Sequence, residues 1–288
     1  CIPAQIAGVN EIALVTPPQA DGSINPYVLV AANELGVSEI YKLGGAQSIA
    51  ALAYGTQSIK KVSKIVGPGN AFVASAKKMV FPLVDIDMIA GPSEVLIIAD
   101  KSSNAAYMAA DIMAQGEHDE MASMYVVTND ESLASRLQDA IDLQLPNLDR
   151  ISILEKSLAN NLYVFLTDSI EMCFEISNEI APEHLEISIE NPFDYLELVD
   201  NAGSIFLGEY SPEALGDYFA GTNHTLPTNG TAKFSSPLGV YDFIKRPSYL
   251  HYSRRDLKLV YKKVSKFALY EGLSAHSNSM EVRFNESK

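Results

Sequence analysis

From residue 11 to about residue 208, short β-branched apolar runs alternate with segments whose apolar residues recur at helical spacing. That rhythm admits few architectures. Connections long enough for a helical crossover join strands in parallel, so the chain is expected to be α/β with largely parallel sheets. Strands are expected at 11–16, 39–43, 64–66, 85–89, 94–99, 124–128, 162–166, 185–189 and 204–207. Helices are expected at 26–35, 48–54, 71–79, 104–115, 131–143, 169–180, 192–200 and 254–270, with a charged connection between 143 and 162.

Gly91-Pro92-Ser93 breaks the pattern ahead of the strongest strand and marks a domain boundary. The organisation read from this is two incomplete Rossmann-like doubly wound domains, 1–91 and 92–235, followed by a helical tail at 236–288. Residues 208–248 are rich in Gly, Pro, Ser and Thr, and so long an irregular stretch is usually functional or in contact with a partner. A terminal helix beyond the last strand must bury its apolar face elsewhere, and a second copy of the fold is one candidate.

With 47% hydrophobic residues in 288, the chain can bury a sizeable core. Its formal net charge of -15 opposes binding to nucleic acid or anionic membrane, which favours a small substrate. No apolar run approaches the roughly 20 residues of a membrane span, and no signal-peptide layout opens the sequence. Two cysteines, Cys1 and Cys173, make no CxxC and no disulfide framework, which fits a reducing cytoplasm. Opening on Cys1 and running almost at once into a strand, the chain is expected to lack a natural N-terminal part.

Chemistry concentrates at a few positions. Gln115 and His118 are three apart, so on a helix they converge on one metal or substrate, although a histidine at a helix end more often complements the dipole. Glu117 and Asp119 beside them read as solvated charges. Glu183 and His184 adjoin where a helix gives way to a strand, as two bases or as helix-end capping groups. Asp217 lies between a glycine and a tyrosine, ordinarily a turn former, with His224 seven residues on. Glu271 and His276 near the terminus read alone as surface groups, and His251 as a packing or surface residue. Gly44-Gly45-Ala46-Gln47 and Gly67-Pro68-Gly69-Asn70 each join a strand to a helix, where backbone can approach an anionic ligand, but neither is a G-x-G-x-x-G.

Taken in order, these blocks resemble histidinol dehydrogenase, together with Ala90-Gly91-Pro92-Ser93-Glu94-Val95-Leu96, Ala181-Pro182-Glu183-His184-Leu185, Ala202-Gly203-Ser204-Ile205-Phe206-Leu207-Gly208, Gly221-Thr222-Asn223-His224 and Leu273-Ser274-Ala275-His276. The resemblance implies NAD- and zinc-dependent oxidation of L-histidinol through the aldehyde to L-histidine. It implies Gln115, His118, Asp217 and His276 as ligands of one Zn2+ per subunit, and Glu183 and His184 as the bases. It further implies Ser93, Glu271, His184 and the zinc ligands as substrate contacts, and Gln47 and Asn70 as NAD contacts. The tail would complete the site of a neighbouring subunit, which makes a homodimer. The family carries a segment before the position of Cys1, including a tyrosine that contacts NAD, so this chain is expected to be a truncated form. At Gly116 the family more commonly has another small residue. Two rival expectations remain: a zinc hydrolase without NAD, and a dimeric form that keeps the fold but has lost turnover.

Overall fold

The apolar run at 94–99 becomes the central strand of a five-stranded parallel sheet in the computed structural model, which describes residues 1–285. The chain separates into two compact units, Cys1–Ile244 and Lys245–Lys288. Residues 286–288, the end of the expected tail, lie outside the described residues.

In the first unit, α1 (Ile2–Ile6) leads to β1 (Ala13–Thr16), α2 (Pro26–Glu34), β2 (Glu39–Lys42), α3 (Ala46–Tyr54), β3 (Lys64–Ile65), α4 (Ala71–Val80) and β4 (Asp85–Ile86). β1 pairs with β2 and β3 with β4, both in parallel, so this part carries two two-stranded sheets. Ile49, Leu52 and Ala53 of α3, Ile65 of β3 and Val80 of α4 bury together as one apolar cluster. Asn25 and Asn70 start α2 and α4 by accepting backbone N–H groups that a helix leaves unpaired.

The larger sheet follows, with β5 (Glu94–Ala99), α5 (Ala105–Gly116), β6 (Ser123–Thr128), α6 (Leu133–Gln144), α7 (Ile151–Asn161), β7 (Leu162–Leu166), α8 (Ile170–Ile180), β8 (His184–Ser188), β9 (Ser204–Leu207) and α9 (Glu213–Tyr218). Its order is β7-β6-β5-β8-β9, parallel throughout. Side chains alternate along a strand, so Val95, Ile97 and Ala99 pack with α5, α6 and α7 on one face. Leu96 and Ile98 pack with Cys173 and Phe174 of α8 on the other. Both faces of β5 are therefore dry, and a side chain such as Ile97 contributes about 1.5–3 kcal/mol by leaving water.

Several stretches differ from the sequence reading, among them residues 2–6, where no helix is expected and α1 forms. The charged connection after 143 contains α7, whose Leu154 and Ser157 are buried. Its apolar residues do lie at helical spacing, but Pro146, Asp149 and Arg150 just before them mask the pattern. The helix expected at 192–200 is instead a 3-10 turn, Pro192–Leu198. Asp217, read as a turn residue, lies on α9.

The second unit holds α10 (Arg254–Tyr270) and α11 (Ser274–Glu281). Ser253 caps α10 by accepting the Asp256 N–H at 3.1 Å. The hydroxyls of Ser265 and Ser277 meet at 2.8 Å between the two helices, and the rings of Tyr261 and Phe284 pack 4.4 Å apart. Among the described residues, no helix is long and apolar enough to cross a membrane.

Candidate active site and metal centre

The amino-terminal edge of the large sheet gathers the polar side chains. In an open parallel sheet ligands usually meet the carboxyl ends of the strands. Here α5 returns from the far edge and delivers Gln115 and His118 beside the start of β8. The helix ends at Gly116, so His118 stands exposed in the following turn, its N–H bonded to the Gln115 carbonyl at 3.2 Å.

Glu183 and His184 both fasten to one residue of the neighbouring strand. Glu183 Oε2 accepts the Glu94 N–H at 3.0 Å, and His184 Nδ1 lies 3.1 Å from the Glu94 carbonyl oxygen. A carbonyl only accepts, so Nδ1 carries the proton, which leaves Nε2 as the free nitrogen of the neutral ring. That Nε2 is buried without a hydrogen-bond partner, 3.7 Å from Asp217 Oδ1. Glu183 sits in a bend ahead of β8, and the irregular backbone there lets adjacent side chains share one site.

The bend depends on Gly203. Gly203 N–H donates to the Pro182 carbonyl at 2.9 Å, and Ser204 N–H to the Glu183 carbonyl at 2.8 Å. A β-carbon at 203 would stand 2.5 Å from the Glu183 carbonyl oxygen, inside van der Waals contact, so only glycine lets the chain pass this close.

Glu213, which the sequence reading did not single out, is buried at the start of α9. Its carboxylate lies 3.9 Å from His184 Nδ1. One end of the Gln115 amide stands 3.0 Å from both Glu213 oxygens and 3.2 Å from His184 Nδ1; as nitrogen it donates to the Glu213 carboxylate, and as oxygen it accepts from the Nδ1 proton and from a protonated Glu213. His118, Glu213 and Asp217 each offer one ligand atom, all within 4.8 Å of one another. Glu213 is one helical turn before Asp217, so reading 213–218 as loop concealed the pairing. Glu94 and Glu186 are buried acids as well, and the signal for Glu94 is an acid inside an otherwise apolar buried strand.

Burial dominates the electrostatics. It lifts Glu183 to about 7 and Glu213 to about 8, in each case against the attraction of His184, and it raises Glu94. Asp111 is raised to about 6 by burial, and Glu186 is raised by burial and by the charge of Asp111 beside it. For His184 burial acts downward, but Asp217, Glu213 and Glu183 outweigh it and raise the imidazole to about 9. Asp217, half-buried, is held below its ordinary value mainly by His184. So many acids at so few ångströms need positive charge among them. Imidazole nitrogen, carboxylate oxygen and amide oxygen make a donor set that suits zinc.

Gln115, His118, Glu183, His184 and Asp217 thus come together. Ser93 is half-buried just before β5, its carbonyl accepting Ser123 N–H at 3.0 Å. Gln47 stands exposed in the first turn of α3, and Asn70 exposed as the cap of α4. Glu271 and His276 belong to the second unit, exposed at the end of α10 and on α11.

The family profile described as histidinol dehydrogenase matches residues 1–284. The chain is 57% identical over 283 residues to the histidinol dehydrogenase of Clostridium acetobutylicum, covering 98% of this chain and 66% of that protein. To the Lactococcus lactis protein of the same name it is 53% identical over 285 residues, with 99% and 66% covered. The crystal structure of histidinol dehydrogenase from Elizabethkingia anophelis superposes with a TM-score of 0.92 at 43% identity, covering 98% of this chain and 65% of that one. The chain therefore spans just under two thirds of the length of the relatives it matches.

Proposed function

Because the chain belongs to the histidinol dehydrogenase family, we propose that it provides the catalytic body of an NAD- and zinc-dependent dehydrogenase that oxidises L-histidinol through L-histidinal to L-histidine. The observation that carries this reading is the pair Glu183 and His184, both bonded to Glu94 and facing the acids of α9.

Gln115, His118 and Asp217 would hold the zinc with His276 contributed from the tail, and Glu213 is a further carboxylate in reach of that set. Bound zinc supplies a Lewis-acid template for the substrate, and bound NAD accepts hydride. Ser93, His184, Glu271 and the metal ligands would contact the substrate, and Gln47 and Asn70 the nucleotide. In this reading residues 1–91 bind NAD, 92–235 carry the metal and the bases, and 236–288 exchange between the subunits of a cytoplasmic homodimer with shared sites.

Removing hydride from the carbinol carbon requires the hydroxyl proton to leave, and His184 Nε2 is the nitrogen available for it. Neutralising Asp217 and Glu213 removes two of the three acids that raise His184, which moves Nε2 toward its basic form. The second oxidation needs a hydrated aldehyde. Glu183, held near neutrality, is suited to take a proton from water. One group for each proton removal is a physical reason to set Glu and His side by side.

The test is NADH absorbance after adding L-histidinol and NAD to the zinc-loaded protein. Two NADH per histidinol are expected, with loss in His184→Gln and Glu183→Gln. No NADH from folded, zinc-loaded protein would refute the reading for this chain.

A further inference from the structure

Lys77 of α4 and Asp87, just after β4, form a buried ion pair outside the acidic cluster, their side chains 3% and 1% exposed. Besides bonding each other, they take both polar groups of a single peptide residue. Lys77 Nζ donates to the Gly67 carbonyl at 2.9 Å, and Asp87 Oδ2 accepts the Gly67 N–H at 2.7 Å. Asp87 Oδ1 also accepts the Met88 N–H at 2.7 Å, so the carboxylate is itself held in place. Gly67 has φ of 127°, a region that favours glycine. It opens Gly67-Pro68-Gly69-Asn70, whose Asn70 caps α4 by accepting the N–H groups of Phe72 and Val73 at 3.1 and 3.2 Å. Asp87 also borders a pocket of about 410 Å3 walled by Phe234, Pro237, Tyr241 and Asp242, a size that admits part of a small-molecule ligand.

A buried ion pair is an inefficient way to hold a core together, because desolvation offsets much of the attraction and apolar side chains of similar volume often serve as well. Apolar side chains cannot grip both the N–H and the C=O of a peptide. We propose that Lys77 and Asp87 are positioning residues for the nicotinamide nucleotide, clamping Gly67 so that the loop 67–70 keeps the shape in which Asn70 meets the cofactor. This rests on the NAD reading above.

Two variants test it. Asp87→Asn turns an amide donor toward donors. Lys77→Met/Asp87→Leu replaces the pair by apolar side chains, keeping the region dry while releasing Gly67. Hydrogen exchange at the Gly67 amide, bonded to Asp87, and at the Phe72 and Val73 amides, bonded to Asn70, reports the clamp, and calorimetry reports NAD and zinc affinity. In both variants loop exchange accelerates roughly tenfold or more and the NAD dissociation constant rises by a similar factor, with zinc affinity unchanged. Zinc affinity that holds while NAD affinity falls separates the clamp from a purely stabilising role, whose loss would weaken the fold and both affinities together. Parent-like exchange and NAD affinity in a folded double variant overturn the proposal. If Asp87→Asn does not fold, the double variant decides. A parent protein that binds no NAD overturns the cofactor reading and this proposal with it, whereas NAD binding that both variants keep intact overturns the proposal alone.

Discussion

Replacing Gly203 by alanine adds one methyl group where the structure has no room for it. The new carbon would lie 2.5 Å from the Glu183 carbonyl oxygen and 3.2 Å from Pro227 Cδ, and backbone cannot yield as a flexible side chain does. The start of β9 must move away from the segment before β8, stretching the 2.8 Å bond from Ser204 N–H to the Glu183 carbonyl. Overpacking of this kind costs about 1–3 kcal/mol, and a weakened backbone hydrogen bond adds about 1 kcal/mol. At about 2–4 °C per kcal/mol for a chain of this size, the melting temperature falls by roughly 5–15 °C. The displaced peptide carries Glu183 and His184, and a shift on the order of 1 Å lowers turnover about a hundredfold. Gly116→Ala is the control. Its β-carbon meets Ser157 Oγ at 3.1 Å and Leu154 Cδ2 at 3.3 Å, buried side-chain atoms rather than backbone, a far milder approach than the 2.5 Å at Gly203. Helix propensity favours alanine there by up to about 1 kcal/mol, so stability changes little. Thermal unfolding and NADH assays on both variants decide. If Gly203→Ala melts and turns over like the parent, the close approach does not govern the site.

The metal-free protein is expected to lose stability as pH rises, because Glu183, Glu213 and His184 all hold protons more tightly folded than unfolded. Their contribution is complete below the unfolded values, 4.5 for the two acids and 6.5 for the histidine, and is lost through the folded values of about 7, 8 and 9. Asp217 acts in the opposite sense only at or below its ordinary 3.8, outside that window. Urea unfolding with chelator from pH 5 to 9 measures it, and a midpoint that rises with pH contradicts the assignment. Zinc binding at pH 7 should release protons, since His184 and Glu213 begin protonated. Calorimetry in buffers of different ionisation enthalpy reads the number, and zero release contradicts the picture of the cluster.

The order of strands and helices was legible in the sequence because the hydrophobic period changes from element to element. The run at 94–99 and the asparagines before α4 and α5 declare themselves locally. Gln115, His118, Glu183 and His184 were visible as candidates, but their residue types and places left dipole and capping roles equally open. A helix such as α7 was lost because its short apolar stripe follows a proline and charges, and its stability comes from packing Leu154 under the sheet. Glu213 was hidden for a related reason. A short helix such as α9 has little intrinsic stability and is set by its surroundings, and only the folded chain brings its carboxylate to Gln115 and His184. Ionisation is likewise tertiary: no local pattern says that Glu183 is lifted by burial while Asp217 is held down by an imidazole. The sequence by itself determined which segments become strands and which residue types are available for chemistry, since both follow from side-chain period and functional group. Which acids share a site, and in what charge state, was decided by the tertiary structure, because distance and desolvation exist only once the chain has folded.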